Sequence, residues 1–412
     1  MKYVIDFPEG KLNGRISLPF SKSISNRLLI IRALSNSDFH IEGLSESDDT
    51  QVLLKGLQTS SDVIDIDHAG TAMRFLTAYF AATAQAKTVT GSERMKNRPV
   101  GVLVDALNHL KADIKYLEKS GFPPIRTSGK PLLGNTINIK GNISSQFISA
   151  LLMIAPVLPN GLTIAVTGEL VSVPYIKMTI ELMRQANVSA KFEKNIISVS
   201  PQNYSSTGMS VERDYSAASY WYLIAALANN SELLLEGLSE KSLQGDAIIS
   251  QIASLFGVKT ENAPEGAIIR KDGNSCRKFL HDFTDSPDLI QTMAVMCCLT
   301  NTKFRFCGAQ TLRIKETDRI AALQNELLKL GYCIKATNSG ALEWNGERIT
   351  PQQNISISTY NDHRMAMAFA PAAIHFPGLQ IEEPKVVSKS YPNFWEDLKM
   401  VGARIEVKDN YS

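Results

Sequence analysis

SNRLLIIRALSNSDFHIEGLSESDD, residues 25–49, and AASYWYLIAALANNSELLLEGLSEKSLQGD, residues 217–246, are two versions of one pattern. Each opens on an apolar run suited to a helix, with Leu28, Leu29 and Ile31 in the first and Tyr222, Leu223 and Ile224 in the second. Each then passes through an Asn/Ser turn, alternates as a strand and ends in Gly-Leu-Ser-Glu, with Gly43 answering Gly237. A helix, a turn and a strand closed by the same four residues predict a duplication.

The same order recurs with weaker identity at residues 69–93 (AGTAMRFLTAYFAATAQAKTVTGSE), 144–170 (SSQFISALLMIAPVLPNGLTIAVTGEL), 286–310 (SPDLIQTMAVMCCLTNTKFRFCGAQ) and 361–384 (NDHRMAMAFAPAAIHFPGLQIEEP). The chain therefore divides into six units, three in each half. Gly43, Gly91, Gly168, Gly237 and Gly308 end the strands, with Glu382 near the sixth such place. They stand too far apart for a thin solenoid, so each unit must hold more elements. The amphipathic segments RPVGVLVDALNHL and RIAALQNELLKLG supply second helices. The expectation is an α/β protein of two similar domains with a ligand cleft between them.

Bulk properties agree. At 412 residues, 44% hydrophobic and 20% charged, the chain is a soluble globular protein too long for one core. A net charge of +2 gives no reason to expect a nucleic-acid or membrane partner, so anion binding must come from local placement of Lys and Arg. The N-terminus has no apolar leader pattern, and no run of about 18 apolar residues occurs, which predicts a cytoplasmic protein. Cys276, Cys297, Cys298, Cys307 and Cys333 lack C-x-x-C pairing and read as reduced, mostly buried thiols. No zinc pattern, Walker loop or paired-carboxylate magnesium site is present, so neither metal nor cofactor is expected.

The informative charges sit where helices start. PFSKSISNR carries Lys22, Ser23 and Arg27; HAGTAMR carries Gly70 and Arg74; SERMKNRP carries Arg98. RIKETDR packs Arg313, Lys315, Glu316, Asp318 and Arg319 into seven residues, YNDHR offers Asp362, His363 and Arg364, and VVSKSYPNF offers Lys389. Any one of these could be a Ser-capped helix start or a surface salt-bridge cluster. Recurrence at equivalent joints of the repeat, beside Gly, Ser, Thr or Pro, favours an anion cradle built on helix N-termini.

The ordered series SKSISNR, ESDD, AGTAMR, RMKNRP, SSQF–ALLM, LVSVPY, SPD, KETDR, YNDHRMAM and SKSYPNFW resembles the 5-enolpyruvylshikimate-3-phosphate synthase family from end to end. The resemblance implies a two-domain inside-out α/β barrel of six βαβαββ units, three per domain. The domains expected are 14–211, and 1–13 with 212–412, with the active site in the cleft between them. It implies transfer of the enolpyruvyl group of phosphoenolpyruvate to the 5-hydroxyl of shikimate 3-phosphate by a monomer, and inhibition by glyphosate. By resemblance, Lys22, Ser23, Arg27, Ser144, Ser145, Gln146, Ser172, Tyr175, Asp288, Thr311 and Lys315 bind shikimate 3-phosphate. Lys22, Gly70, Arg98, Gln146, Arg319, Arg364 and Lys389 likewise bind phosphoenolpyruvate. Asp288 and Glu316 are the acid–base carboxylates, with Lys22, Lys315 and His363 assisting. The residues alone leave Asp288 open as a helix cap and Glu316 as an i,i+3 partner of Arg319, and do not say which carboxylate carries a proton.

Four positions depart from the family pattern: Phe20 stands where glycine is usual, His68 where asparagine is usual, Phe75 for a proline and Thr311 for an asparagine. The stretch from Asp49 to His68 is short, which predicts that one unit of the first domain is trimmed. The sister transferase acting on UDP-N-acetylglucosamine fits less well, since no cysteine precedes Cys276. An RNA-terminal phosphate cyclase would need a stronger basic bias. A non-catalytic repeat scaffold leaves the charges at the joints unexplained.

Overall fold

In the computed structural model, residues 1–8, 11–35, 37–142, 144–337 and 340–408 are described. The chain divides into two compact units, Met1–Pro19 with Glu212–Ser412, and Phe20–Val211. The expected division at residue 14 moves to 19/20. Strand Lys11–Ser17 crosses that point and pairs in parallel along its whole length with Asn230–Glu236, which fixes residues 14–17 in the unit that holds the C-terminus.

Among the described residues, five four-stranded sheets share one order. In the unit of residues 20–211, Val63–Asp65 runs parallel to Thr88–Thr90, which pairs antiparallel with Ile125–Arg126 and through it with Lys115–Tyr116. A second sheet repeats this plan from the parallel pair Thr136–Lys140 and Leu162–Thr167. In the other unit the plan recurs from Lys11–Ser17 with Asn230–Glu236, Lys278–Asp282 with Lys303–Cys307, and Ser356–Ile357 with Leu379–Glu382. Ile41–Glu42 and Met209–Ser210 form a sheet of only two strands. This is the shortened unit that the close spacing of Asp49 and His68 led us to expect.

Parallel neighbours require a crossover, and a helix supplies it in four of these sheets. The crossover helices are Gly70–Ala82, Ser145–Ile154, Ile290–Leu299 and His363–Phe369. IQTMAVMCCL is buried along its whole length and SQFISALLMI at every residue but Gln146, as expected of helices that are mostly apolar. The sheets instead alternate buried and exposed residues, as in Lys303–Cys307 and Thr136–Lys140, so each presents one face to the helices and one to water. Each crossover helix starts where its first strand ends, and this places Gly70, Ser145, Asp288 and His363 at helix N-termini.

Gly43 and Gly237, the matched glycines of the duplication, both take left-handed φ angles, +77° and +69°. A Cβ on Gly43 would fall 2.4 Å from the ring of Phe20. The departure at Phe20 is therefore accommodated by packing against a glycine. Gly43→Ala adds a strained φ to this overlap and is expected to destabilise by about 1–3 kcal/mol, lowering the melting temperature by several degrees in thermal unfolding. An unchanged melting temperature would contradict the packing described.

The thiols are free, as expected, but fewer of them are buried than expected. Cys297 and Cys298 are buried, Cys276 and Cys333 are half-buried and Cys307 is exposed, all of them free. The buried pair lies on a helix buried along its whole length, whereas Cys307 falls on the outward phase of strand Lys303–Cys307. No described helix is long and apolar enough to cross a membrane.

Candidate active site

In the unit of residues 20–211, Lys22 is the first residue of helix Lys22–Leu34. Ser21 stands at the N-cap, yet its hydroxyl makes no capping bond, so the Ser-capped alternative does not account for the motif. Lys22 Nζ lies 3.3 Å from Asp49 Oδ2, and the other oxygen of Asp49 lies 3.8 Å from His68 Nε2. The His68 carbonyl accepts a long hydrogen bond, 3.4 Å, from Arg98 Nη1. The Arg98 guanidinium presses on Gly70, where a Cβ would fall 2.5 Å from Nη1. Gln146 donates to Thr71 Oγ1 at 3.2 Å, while Ser144 caps its helix by accepting from Gln146 N–H at 3.4 Å. Lys22, Gly70, Arg98 and Gln146 thus belong to one cluster, joined through Asp49, His68 and Thr71.

Arg27 is only 2% exposed. It donates from Nε to Thr179 Oγ1 at 2.7 Å, from Nη2 to Ser149 Oγ at 3.0 Å and from Nη1 to the Ser23 carbonyl at 2.8 Å. The rings of Phe75 and Tyr175 lie 5.6 and 5.9 Å from its guanidinium carbon. Burial lowers its pKa to about 10, with Tyr175 opposing. Arg27 therefore fastens helices to one another as well as standing near the cradle. Phe75, where proline is usual, supplies one of its aromatic neighbours. Ser145 is buried at the first turn of its helix, and Ser172 takes φ +57° at the N-cap of Val173–Gln185.

The other unit gathers the second set. Asp288 accepts from Arg364 Nη2 at 2.8 Å and from Arg319 Nη1 at 3.1 Å, with Lys315 Nζ at 3.9 Å. The N-cap positions here are held by Ser286 and Leu289, and the Asp288 carboxylate is the hub of the cations. Arg319 also donates from Nε to Asp362 Oδ2 at 2.7 Å and from Nη2 to Glu316 Oε2 at 2.8 Å. Glu316 is therefore both the i,i+3 partner of Arg319 and a member of the cluster. Asp362 caps helix His363–Phe369 through the Arg364 N–H at 2.9 Å, which sets Arg364 at the helix start. His363 is buried beside it, its Nδ1 3.9 Å from Asp362 Oδ1. Lys389 Nζ donates to the carbonyl and Oδ1 of Asn361, at 2.7 and 2.9 Å. Thr311 lies on the 3-10 turn Gln310–Ile314 just before Lys315.

Burial drives the Asp288 carboxyl up, but Arg364, Lys315 and Arg319 outweigh it and hold the group well below the usual carboxylate range. Burial pushes the Lys315 ammonium down, with Asp288 opposing. Against the desolvation of Arg319, the charges of Asp362, Glu316 and Asp288 win and raise its pKa. An ionised carboxylate thus stands 3.9 Å from an ammonium whose pKa burial lowers, among guanidinium forks of a geometry suited to phosphate and carboxylate. Asp49, Thr71, Asn361 and Asp362 belong to these clusters without having been assigned a role from sequence. Asp49 and Asp362 sit inside quoted motifs, ESDD and YNDHR, where an acidic residue beside a helix start was the available signal.

A family model described as EPSP synthase (3-phosphoshikimate 1-carboxyvinyltransferase) matches residues 55–398. A protein of Bacteroides fragilis named 3-phosphoshikimate 1-carboxyvinyltransferase is 51% identical over 408 residues, 99% of each chain. One of the same name from Colwellia psychrerythraea is 37% identical over 426 aligned positions, covering 96% of this chain and 98% of that one. The solved EPSP synthase of Acinetobacter baumannii superposes with a TM-score of 0.77 at 19% identity, over 98% of this chain and all of that one, which bears on fold alone. With a family model spanning most of its length and relatives aligned nearly end to end, the chain belongs to the EPSP synthase family.

Proposed function

We propose that the chain transfers the enolpyruvyl group of phosphoenolpyruvate to the 5-hydroxyl of shikimate 3-phosphate and releases phosphate. The observation that carries this reading is the end-to-end 51% identity with a 3-phosphoshikimate 1-carboxyvinyltransferase. In the first step the ring oxygen bonds to C2 of the enol, loses its proton to a base, and C3 gains a proton. In the second step C3 gives up a proton and the C2–O bond to phosphate breaks.

Asp288, which Arg364, Lys315 and Arg319 hold ionised, is assigned as the base for the hydroxyl, and Lys315, Glu316 and His363 are assigned to the acid side. Lys22, Gly70, Arg98, Gln146, Arg319, Arg364 and Lys389 are assigned to phosphoenolpyruvate. Ser23, Arg27, Ser144, Ser145, Ser172, Tyr175 and Thr311 go, with Lys22, Gln146, Asp288 and Lys315, to shikimate 3-phosphate. Of the first set, Lys22, Gly70, Arg98 and Gln146 belong to residues 20–211, and Arg319, Arg364 and Lys389 to the other unit. The inside-out arrangement of six βαβαββ units is proposed with this, supported by five sheets of one order and a shortened sixth. The test is mass spectrometry of the product: a shikimate 3-phosphate adduct carrying a carboxyvinyl ether is expected, and its absence overturns the reading.

Glyphosate is proposed to occupy the phosphoenolpyruvate place beside Gly70. A methyl there would displace Arg98, whose guanidinium lies within 2.7 Å of the added carbon. Gly70→Ala is expected to cost about 1–3 kcal/mol of binding, more for the bulkier inhibitor than for phosphoenolpyruvate. The ratio of inhibition constant to KM should rise in the variant. An unchanged ratio would remove Gly70 from the ligand contact.

A further inference from the structure

Asp246 ends the longer of the two duplicated stretches, at SLQGD, and none of the cluster assignments above uses it. It lies on the 3-10 turn Gly245–Ile248, buried at 3% exposure. Its Oδ2 bonds the hydroxyl of Ser216, at the start of helix Tyr215–Leu227, and its Oδ1 has no hydrogen-bond partner among the described residues. Ser216 Oγ lies 3.4 Å from Arg364 Nη2, the same nitrogen that bonds Asp288 Oδ2 at 2.8 Å. One guanidinium nitrogen is therefore shared between a carboxylate and a hydroxyl, and behind that hydroxyl stands a second buried carboxyl.

We propose that Asp246 is a positioning residue for Arg364, acting through Ser216 to set how much of that guanidinium is available to a bound anion. The proposal rests on Arg364 being a phosphoenolpyruvate ligand. A carboxyl with one bonded oxygen and one unsatisfied oxygen, both out of water, is costly to ionise. Burial, with the charge of Asp288 adding and Arg364 and Ser216 opposing, raises its pKa to about 7. Asp288 and Asp246 flank one arginine and are driven in opposite directions, a pattern that separates acid from base roles.

Neutral Asp246 leaves Arg364 to Asp288 and the ligand. Ionised Asp246 commits the Ser216 proton and adds a negative charge that competes with the anion for Arg364. Other groups facing this point are few. Helix Tyr215–Leu227 brings Ser216 and Tyr220, with Asp214 at its N-cap; Asp288 comes from Pro287–Leu289; Arg364, with Asp362 and His363, comes from His363–Phe369. Lys315, Glu316 and Arg319 stand beyond Asp288. Helix Ile249–Ser254, also packed on the turn, has no titratable side chain.

The experiment measures KM for phosphoenolpyruvate and kcat between pH 5.5 and 8.5 for the full chain and for Asp246→Asn and Ser216→Ala, with thermal unfolding at each pH. The parent KM should rise roughly tenfold more than that of Asp246→Asn as pH climbs through neutrality, with kcat profiles alike. Ser216→Ala, which keeps the carboxyl and removes the relay, should lose most of that rise. The folded pKa of Asp246 exceeds its unfolded value, so its stabilisation is present below about pH 4 and lost as pH rises through about 7. The melting temperature of the parent relative to Asp246→Asn should fall from pH 5.5 to about 7 and level off above it. Parallel KM profiles in active enzymes, or a melting difference flat with pH, would overturn the proposal. Failure of the functional reading would instead appear as a parent inactive at every pH, with the melting difference still present.

Discussion

Asp288→Asn is expected to lower kcat by a factor of about 10²–10⁴ while changing the KM for either substrate far less. The side chain keeps its shape, so Arg364, Arg319 and Lys315 keep a neighbour of the same size. What disappears is the negative charge that those three cations hold ionised, at 2.8, 3.1 and 3.9 Å. Arg319 retains Asp362 and Glu316, which favours an intact fold. The pKa of Asp288 is depressed on folding, so its contribution to stability is present above the unfolded value near 4 and lost as pH falls through the folded one. At neutral pH the variant should therefore melt somewhat lower than the parent, whereas in strong acid the two should converge. Single-turnover rates separate chemistry from product release. A near-parental rate in folded Asp288→Asn would remove this carboxylate from the proton transfers.

Lys22→Ala and Arg98→Ala are each expected to cost about 2–5 kcal/mol in kcat/KM, which is a factor of roughly 30 to several thousand. Both cations have carboxylate or carbonyl neighbours in the protein, Asp49 for Lys22 and the His68 carbonyl for Arg98, so their removal unbalances the cluster as well as emptying the cradle. Arg98→Lys separates charge from shape. A lysine restores the charge without the planar fork that fits phosphate and carboxylate, and should recover only part of the loss. Circular dichroism of the parent and variants checks that the fold is kept. Parental turnover in folded Lys22→Ala or Arg98→Ala would contradict the anion cradle.

The repeat was legible because its grammar is local. A helix, a turn and a strand closed by glycine can be read from periodicity at 25–49 and again at 217–246, and Gly43 and Gly237 indeed share a left-handed backbone. The membership of residues 14–17 was not legible, since a strand that pairs with a partner more than 200 residues onward has no local signature of that pairing. The charge motifs pointed to Lys22, Arg319 and Arg364, which lie at helix starts, and to Arg98, which instead follows the end of the short helix Glu93–Lys96. The partners that hold Arg27, Ser149 and Thr179, and the Ser216–Asp246 pair beside Arg364, come from other elements and emerge only once the helices pack. Asp246 looked like an ordinary acidic residue in a turn, and burial gives it its character.

Phosphate release from phosphoenolpyruvate, measured with shikimate 3-phosphate, with UDP-N-acetylglucosamine and with no acceptor, tests the central claim most directly. The account predicts release that depends on shikimate 3-phosphate and is at background in the other two reactions. Release that instead requires UDP-N-acetylglucosamine, or that proceeds equally well without any acceptor, would contradict it.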